Sequence, residues 1–285
     1  MTISANEEVA SAAAASQRPL SFGARLSRIS GVLLRHAAVY RFNKMRWQDF
    51  LFWPIVELLL WGFFAAYVQN LTALTAVAAA LLGAVLLWQV FVRTQQSVGI
   101  SFLMELWSRN LLNVFSSPIT VREYLAALLI FGIVKVLLLT GIFFALISLF
   151  YGINLFALGP SLILFSGALV LFGWAGGIFV DGIVLRFGQS AESLAFALAF
   201  LFQPFGAVFF PVSVYPPWLQ SVLWWVPLPH IFESLRAVFA GQPYDPIRLV
   251  WAYGLSIVYL IGAFMFFGFM FERARERGFL LKLQE

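Results

Sequence analysis

The 285-residue chain contains no cysteine, which excludes disulfides, thiolate metal sites and cysteine nucleophiles. Charge is scarce as well: Asp, Glu, Lys and Arg make up 11% of the residues, against about a quarter in a soluble domain. Histidine is limited to His36 and His230, far apart in sequence and without metal-ligand spacing. No G-x-x-x-x-G-K-S/T phosphate loop, H-E-x-x-H helix, G-x-S-x-G elbow or dinucleotide fingerprint occurs. The chain therefore shows no means of its own to split a nucleotide or an ester. What it has in quantity is apolar: hydrophobic residues make up 62% and the mean hydropathy is +0.90. This is the composition of an all-α polytopic membrane protein, in which the bilayer rather than one soluble core organises the chain. The net charge of +5 gives no reason to expect nucleic acid, because membrane topology accounts for the basic clusters at the two ends.

Residues 1–21 are rich in Ala, Ser and Glu and read as a disordered N-terminus without the apolar core of a cleaved signal peptide. Residues 22–49 read as a cytoplasmic, interfacial amphipathic helix. Phe22, Leu26, Ile29, Leu33, Ala37 and Tyr40 share one face, and Arg28 and Arg35 lie opposite, toward anionic head groups. A six-helix transmembrane domain is expected over 50–271, because six stretches reach the ~20 residues a span needs. They are 50–68, 73–92, 124–149, 159–180, 193–212 and 249–271. Thr120-Val-Arg-Glu123 is a capping-box pattern just before the third. Gly167, Gly173, Gly176 and Gly177 would let the fourth approach a neighbour closely. Residues 272–285 form a tail.

Lys and Arg counts set the orientation. Arg18, Arg25, Arg28, Arg35, Arg41, Lys44 and Arg46 precede the first span, and Arg93, Arg109 and Arg122 follow the second. Arg186 follows the fourth, and Arg273, Arg275, Arg277 and Lys282 follow the last, which places 15 of the 18 on one side. Both termini are thus expected in the cytoplasm of a multi-pass protein of the bacterial inner membrane. Asp181 and Arg186 read as solvated charges at the cytoplasmic end of the fourth span.

Three features stand out against this background. Between the second and third spans lies a polar island, Glu105-Leu-Trp-Ser-Arg-Asn-Leu-Leu-Asn-Val-Phe-Ser-Ser-Pro118. Its stripe of Trp107, Leu111, Val114 and Phe115, beside Glu105, Arg109, Asn110 and Asn113, reads as a short amphipathic helix open to a partner and ended by Pro118. Residues 213–247 are cut by Pro216, Pro217, Pro227 and Pro229 into two pieces too short to span. These are either half-helices re-entering the membrane or helices lying on its outer surface, with Trp218, Trp224 and Trp225 as anchors. Finally, Glu57 and Lys135 are charges inside spans, which are costly and mark either a structural pair or a substrate or proton site.

The wording of the island, of Phe210-Pro-Val-Ser-Val-Tyr-Pro-Pro-Trp-Leu-Gln220, and of Val226-Pro-Leu-Pro-His-Ile-Phe-Glu-Ser-Leu-Arg236 resembles the permease subunits of ABC-2 type exporters over roughly residues 22–275. The resemblance implies a coupling helix at Glu105–Ser117 that docks on an ATPase subunit through Glu105, Trp107, Arg109, Asn110, Leu111 and Phe115. It also implies an extracellular helical hairpin carrying Pro216, Pro217, Trp218, Pro229, His230 and Glu233. Permeases of this kind work in pairs, here a homodimer, with ATP and Mg held by the separate ATPase. They move glycans, lipids or drugs outward. The competing expectation is a proton-coupled secondary transporter using Glu57 and Lys135. An integral-membrane enzyme acting on a lipid would need catalytic groups that converge at one membrane face, and no such cluster is visible.

Overall fold

The computed structural model describes residues 22–276 apart from 43, 73–74, 108–113, 115–116 and 154. The expected disordered N-terminus and the end of the tail lie outside the described residues. Within them the chain is helical, with no strand. Its α-helices are α1 (Phe22–Phe42), α2 (Lys44–Thr72), α3 (Thr75–Trp107), α4 (Val121–Tyr151), α5 (Pro160–Phe187), α6 (Glu192–Phe205), α7 (Pro217–Leu223), α8 (Pro227–Phe239) and α9 (Pro246–Glu276).

Local chemistry explains the boundaries. The Glu123 N–H donates to Thr120 Oγ1 at 3.3 Å and the Thr120 N–H donates to Glu123 Oε2 at 2.9 Å, so the capping box read from the sequence is closed and starts α4. That helix ends at Gly152, whose φ of 64° lies in the left-handed region open to glycine. Helices α5, α7 and α8 each begin with proline in the first turn, where its missing N–H has no helical partner to lose.

Among the described residues, five helices are long and apolar enough to cross a membrane, over Leu51–Asn70, Ala76–Glu105, Val121–Tyr151, Pro160–Phe187 and Pro246–Glu276. The expected span at 193–212 differs: α6 has only 14 residues, about 21 Å of helix. Pro204 removes an amide from its last turn, and Gly206 and Ala207 follow outside the helix. The second span also differs, continuing through Arg93 to Glu105 instead of stopping at Val92.

Helix α3 is the centre of the bundle. Buried residues make up 67% of its apolar window, against 22% for α2. It packs on α5 at backbone distance. A Cβ at Gly173 would lie 2.7 Å from Thr94 Cβ, and one at Gly177 would lie 2.6 Å from Val98 Cβ and 2.8 Å from the Gln95 carbonyl oxygen. Van der Waals contact at close range is the main adhesive between helices in lipid, where apolar burial gains nothing, so these two glycines hold the core. One apolar cluster joins Leu82, Phe91, Phe165, Leu228 and Phe232, and a second joins Val98, Phe102, Tyr124, Leu185 and Phe267. Chain 191–209 runs from the second cluster (Ala191) to the first (Ala199, Val208) along α6.

The segment after α6 is tied to α8. Glu233 Oε1 accepts from the Val212 N–H at 2.6 Å and from Arg236 Nη2 at 3.0 Å, while Arg236 Nη1 donates to the Ala207 carbonyl at 2.8 Å. Of the hairpin residues singled out from the sequence, Pro229 and His230 are buried on α8, and Trp218 on α7 is exposed.

Candidate functional site

A cleft of about 970 Å³ runs along one face of α3. Its floor is Gln89, Arg93, Gln96, Ser97, Ile100, Ser101, Met104 and Trp107, which recur at helical spacing over roughly 27 Å of helix. Trp53, Val56, Glu57 and Leu60 of α2 form one wall, and Phe196 and Phe200 of α6 form part of another. Tyr40 of α1 and Lys135 of α4 complete the lining. The structure thus brings Glu57 and Lys135, singled out separately in the sequence, into one cavity.

Their immediate partners differ. Gln89 Nε2 donates to Glu57 Oε2 at 2.5 Å, and Gln89 Oε1 accepts from Arg93 Nε at 3.3 Å. Arg93 Nη1 donates in turn to Gln96 Oε1 at 3.2 Å. Gln89 therefore links a carboxylate to a guanidinium. Lys135 Nζ lies 5.4 Å from the centre of the Tyr40 ring and 5.1 Å from that of Phe131, a position in which ring quadrupoles attract an ammonium.

Arg93 is the residue that the sequence reading misplaced. Counted there as a charge beyond the second span, it sits inside α3 on the floor of the cleft. The recurrence Gln89, Arg93, Gln96, Ser97, Ser101 within an apolar run is the signal that would have found it. Asp181 is a second correction. Expected at a solvated boundary, it is fully buried in α5, and neither carboxyl oxygen has a hydrogen-bond partner.

At one end of the cleft, α1 holds both flanks of the polar island. Arg35 pairs with Glu105, which is only 2% exposed, and His36 Nε2 lies 4.0 Å from the same carboxylate. Arg28 donates to the Pro118 carbonyl and lies 3.7 Å from Glu123 Oε2. Arg28 and Arg35, expected to face lipid head groups, have a capping and a buried carboxylate within reach. Phe22, Leu26 and Leu34 on the same helix are exposed. Of the island residues singled out, Glu105 and Trp107 form the end of α3. Arg109, Asn110, Leu111 and Phe115 lie outside the described residues.

Helices long enough to cross a bilayer, a charged cleft between them and an outward-facing apolar surface define a polytopic membrane transporter component. Residues 36–240 match the family described as ABC-2 type transporter, and the chain belongs to that family. No curated protein matches it at a significant level.

Proposed function

We propose that the chain is the membrane subunit of an ATP-driven exporter, two copies of which pair with two separate ATPase subunits in a bacterial inner membrane. Both termini and the island face the cytoplasm, and Glu105–Ser117 forms the coupling helix that receives the ATPase stroke. The chain between Ala191 and Phe209, with α6 as its helical part, supplies the sixth crossing, and α7 and α8 form the re-entrant hairpin at the outer face. ATP and Mg are bound by the partner, in keeping with the lack of a phosphate loop in this sequence.

The observation that supports this reading most, beyond family membership, is the double grip of α1 on the island. A push on the segment between Glu105 and Pro118 reaches α3 through Trp107 and Glu105, and α1 through Arg35 and Arg28. Helix α3 then carries it to the floor of the cleft. Glu57 and Lys135 in one cavity would also serve a proton-coupled carrier, but membership of the ABC-2 family favours the ATP-driven cycle.

The test is reconstitution of the permease with its ATPase in vesicles. The combined variant Trp107→Ala, Arg109→Ala, Phe115→Ala is expected to keep its fold, lose ATPase binding and lose ATP-dependent export. Wild-type transport and wild-type ATPase association in that variant would refute the assignment, and export driven by an imposed pH gradient without ATP would favour the carrier.

A further inference from the structure

A second, apolar hollow of about 530 Å³ lies beyond the cleft, lined by Leu60, Phe64 and Tyr67 of α2, Leu81 of α3 and Phe210 of the segment after α6. Leu60 borders both spaces. On α3 they are separated by the stretch from Leu81 to Gln89, about 12 Å of helix. Trp61 stands at that junction on α2, its ring stacked on Phe209 with 3.9 Å between centroids and 19° between planes. From this placement, and resting on the export reading above, we infer that the Trp61–Phe209 stack is a gate between two compartments of the transport path, held shut by Glu233 and Arg236 of α8.

The stack joins a regular wall to an irregular one. Trp61 belongs to the long α2, whereas Phe209 follows the end of α6 at Phe205, in backbone that forms no helix. Pro204 and Gly206 bring α6 to its end, and Ala207 then has a φ of 52°, the one positive φ on a non-glycine among the described residues. There a Cβ crowds the following carbonyl oxygen, and such backbone persists where its surroundings fix it. Here the fixing comes from α8. Arg236 Nη1 donates to the carbonyls of Ala207 at 2.8 Å and Val208 at 3.3 Å. Glu233 Oε1 accepts from the Val212 N–H at 2.6 Å, and Arg236 Nη2 closes the pair at 3.0 Å.

Phe209 is thus pinned from both sides by two charged side chains one helical turn apart. Removing either frees a strained backbone, whose relaxation carries the Phe209 ring away from Trp61. The stack itself is a modest attraction: loss of an aromatic pair shifts a two-state equilibrium by about tenfold. That is small enough for a displacement of α8 to open it. Helix α8 therefore acts on the path through Phe209.

The test uses the full chain in spheroplasts, where only the outer face meets an impermeant reagent, and exploits the absence of native cysteine. Ile100→Cys on the cleft floor is the reporter, and Trp218→Cys on the exposed side of α7 confirms the side of addition. A small membrane-impermeant methanethiosulfonate is added outside, and the rate at which the reporter is modified is measured. Trp61→Ala and Phe209→Ala should each raise that rate about tenfold or more, while Trp61→Phe, which can still stack, should stay near the parent. Arg236→Gln and Glu233→Gln should raise it too, with Arg236→Lys in between. Trp61→Ala combined with Arg236→Gln should react no faster than the faster single variant, because both open one gate.

A parent reporter that reacts as fast as Trp218→Cys would overturn the inference. So would rates unchanged by Trp61→Ala and Phe209→Ala in folded protein. Acceleration in those two, with none in Arg236→Gln or Glu233→Gln, would overturn the part assigned to α8. Should the alanine variants fail to fold, Trp61→Leu, which keeps apolar bulk without an aromatic face, takes their place. If Trp218→Cys reacts only in inverted vesicles, the rates are read there. They need no ATPase, so a gate that responds as expected in a permease that binds no ATPase would sink the export reading and leave the gate standing.

Discussion

Arg35 of α1 is paired with Glu105 at the end of α3, across 70 residues of sequence and against a carboxylate that is 2% exposed. Removing the arginine takes a cation away from a buried carboxylate. Arg35→Ala is expected to destabilise the protein by about 1–3 kcal/mol, with the low end favoured because the Arg35 side chain is itself 41% exposed. Thermal unfolding in detergent, run as a double-mutant cycle with Glu105→Gln, measures the coupling. Additive effects of the two substitutions would show that the pair contributes nothing.

The same pair predicts a mechanical effect. The chain has no native cysteine, so single cysteines can be introduced without background. A spin label on α1 should become more mobile in Glu105→Gln, while one on α9 should not change.

Contact between α3 and α5 yields a contrast between glycines. Gly177→Val would force a branched side chain into Val98 and the Gln95 carbonyl, and should cost at least about 1–3 kcal/mol or abolish folding. Gly141 on α4 has nothing within 4 Å of a built Cβ, so Gly141→Ala should be neutral or stabilise the helix by up to about 1 kcal/mol. Melting temperatures of the two variants, measured side by side, should move in opposite directions or differ by several degrees.

Much of the architecture was legible because its causes are local. The Thr120–Glu123 box, the prolines that bound α7 and α8, and the apolar runs of five helices all act within a few residues. What escaped depends on partners distant in sequence. Arg28 and Arg35 meet Glu123 and Glu105, 95 and 70 residues away, because the fold lays those carboxylates beside α1. Arg93 was excluded from its span because a single charge ends a hydropathy run, although a polar helix face can line a cavity without interrupting the helix. The shortness of α6 was readable in Pro204 and Gly206 but was outweighed by the surrounding phenylalanines. Asp181 was misjudged along with the end of α5, which continues to Phe187.

His230 gives a pH prediction. Its Nε2–H donates to the Trp224 carbonyl at 2.8 Å, with the ring edge-on to Trp224. Burial holds its pKa below the ordinary value, and Arg248 adds to the shift, against the opposing pull of the Trp224 bond. The unfolded chain therefore binds this proton at higher pH than the folded one. The stability contributed by the neutral ring is complete above about pH 6.5 and declines as the pH falls toward the lower folded-state value. His230→Gln should flatten that part of the stability–pH curve. An unchanged slope in the variant would assign the pH dependence to other groups.

We propose that the island between Glu105 and Ser117 is where an ATPase subunit engages this permease. The most direct measurement is site-specific cross-linking in native membranes, with single cysteines at Trp107, Arg109 and Phe115 and a control at Trp218 on α7. Cross-links are expected from the three island positions to an ATPase subunit, sensitive to added nucleotide, and none from Trp218. Cross-links from Trp218 alone, or none from any island position in a correctly inserted protein, would contradict it.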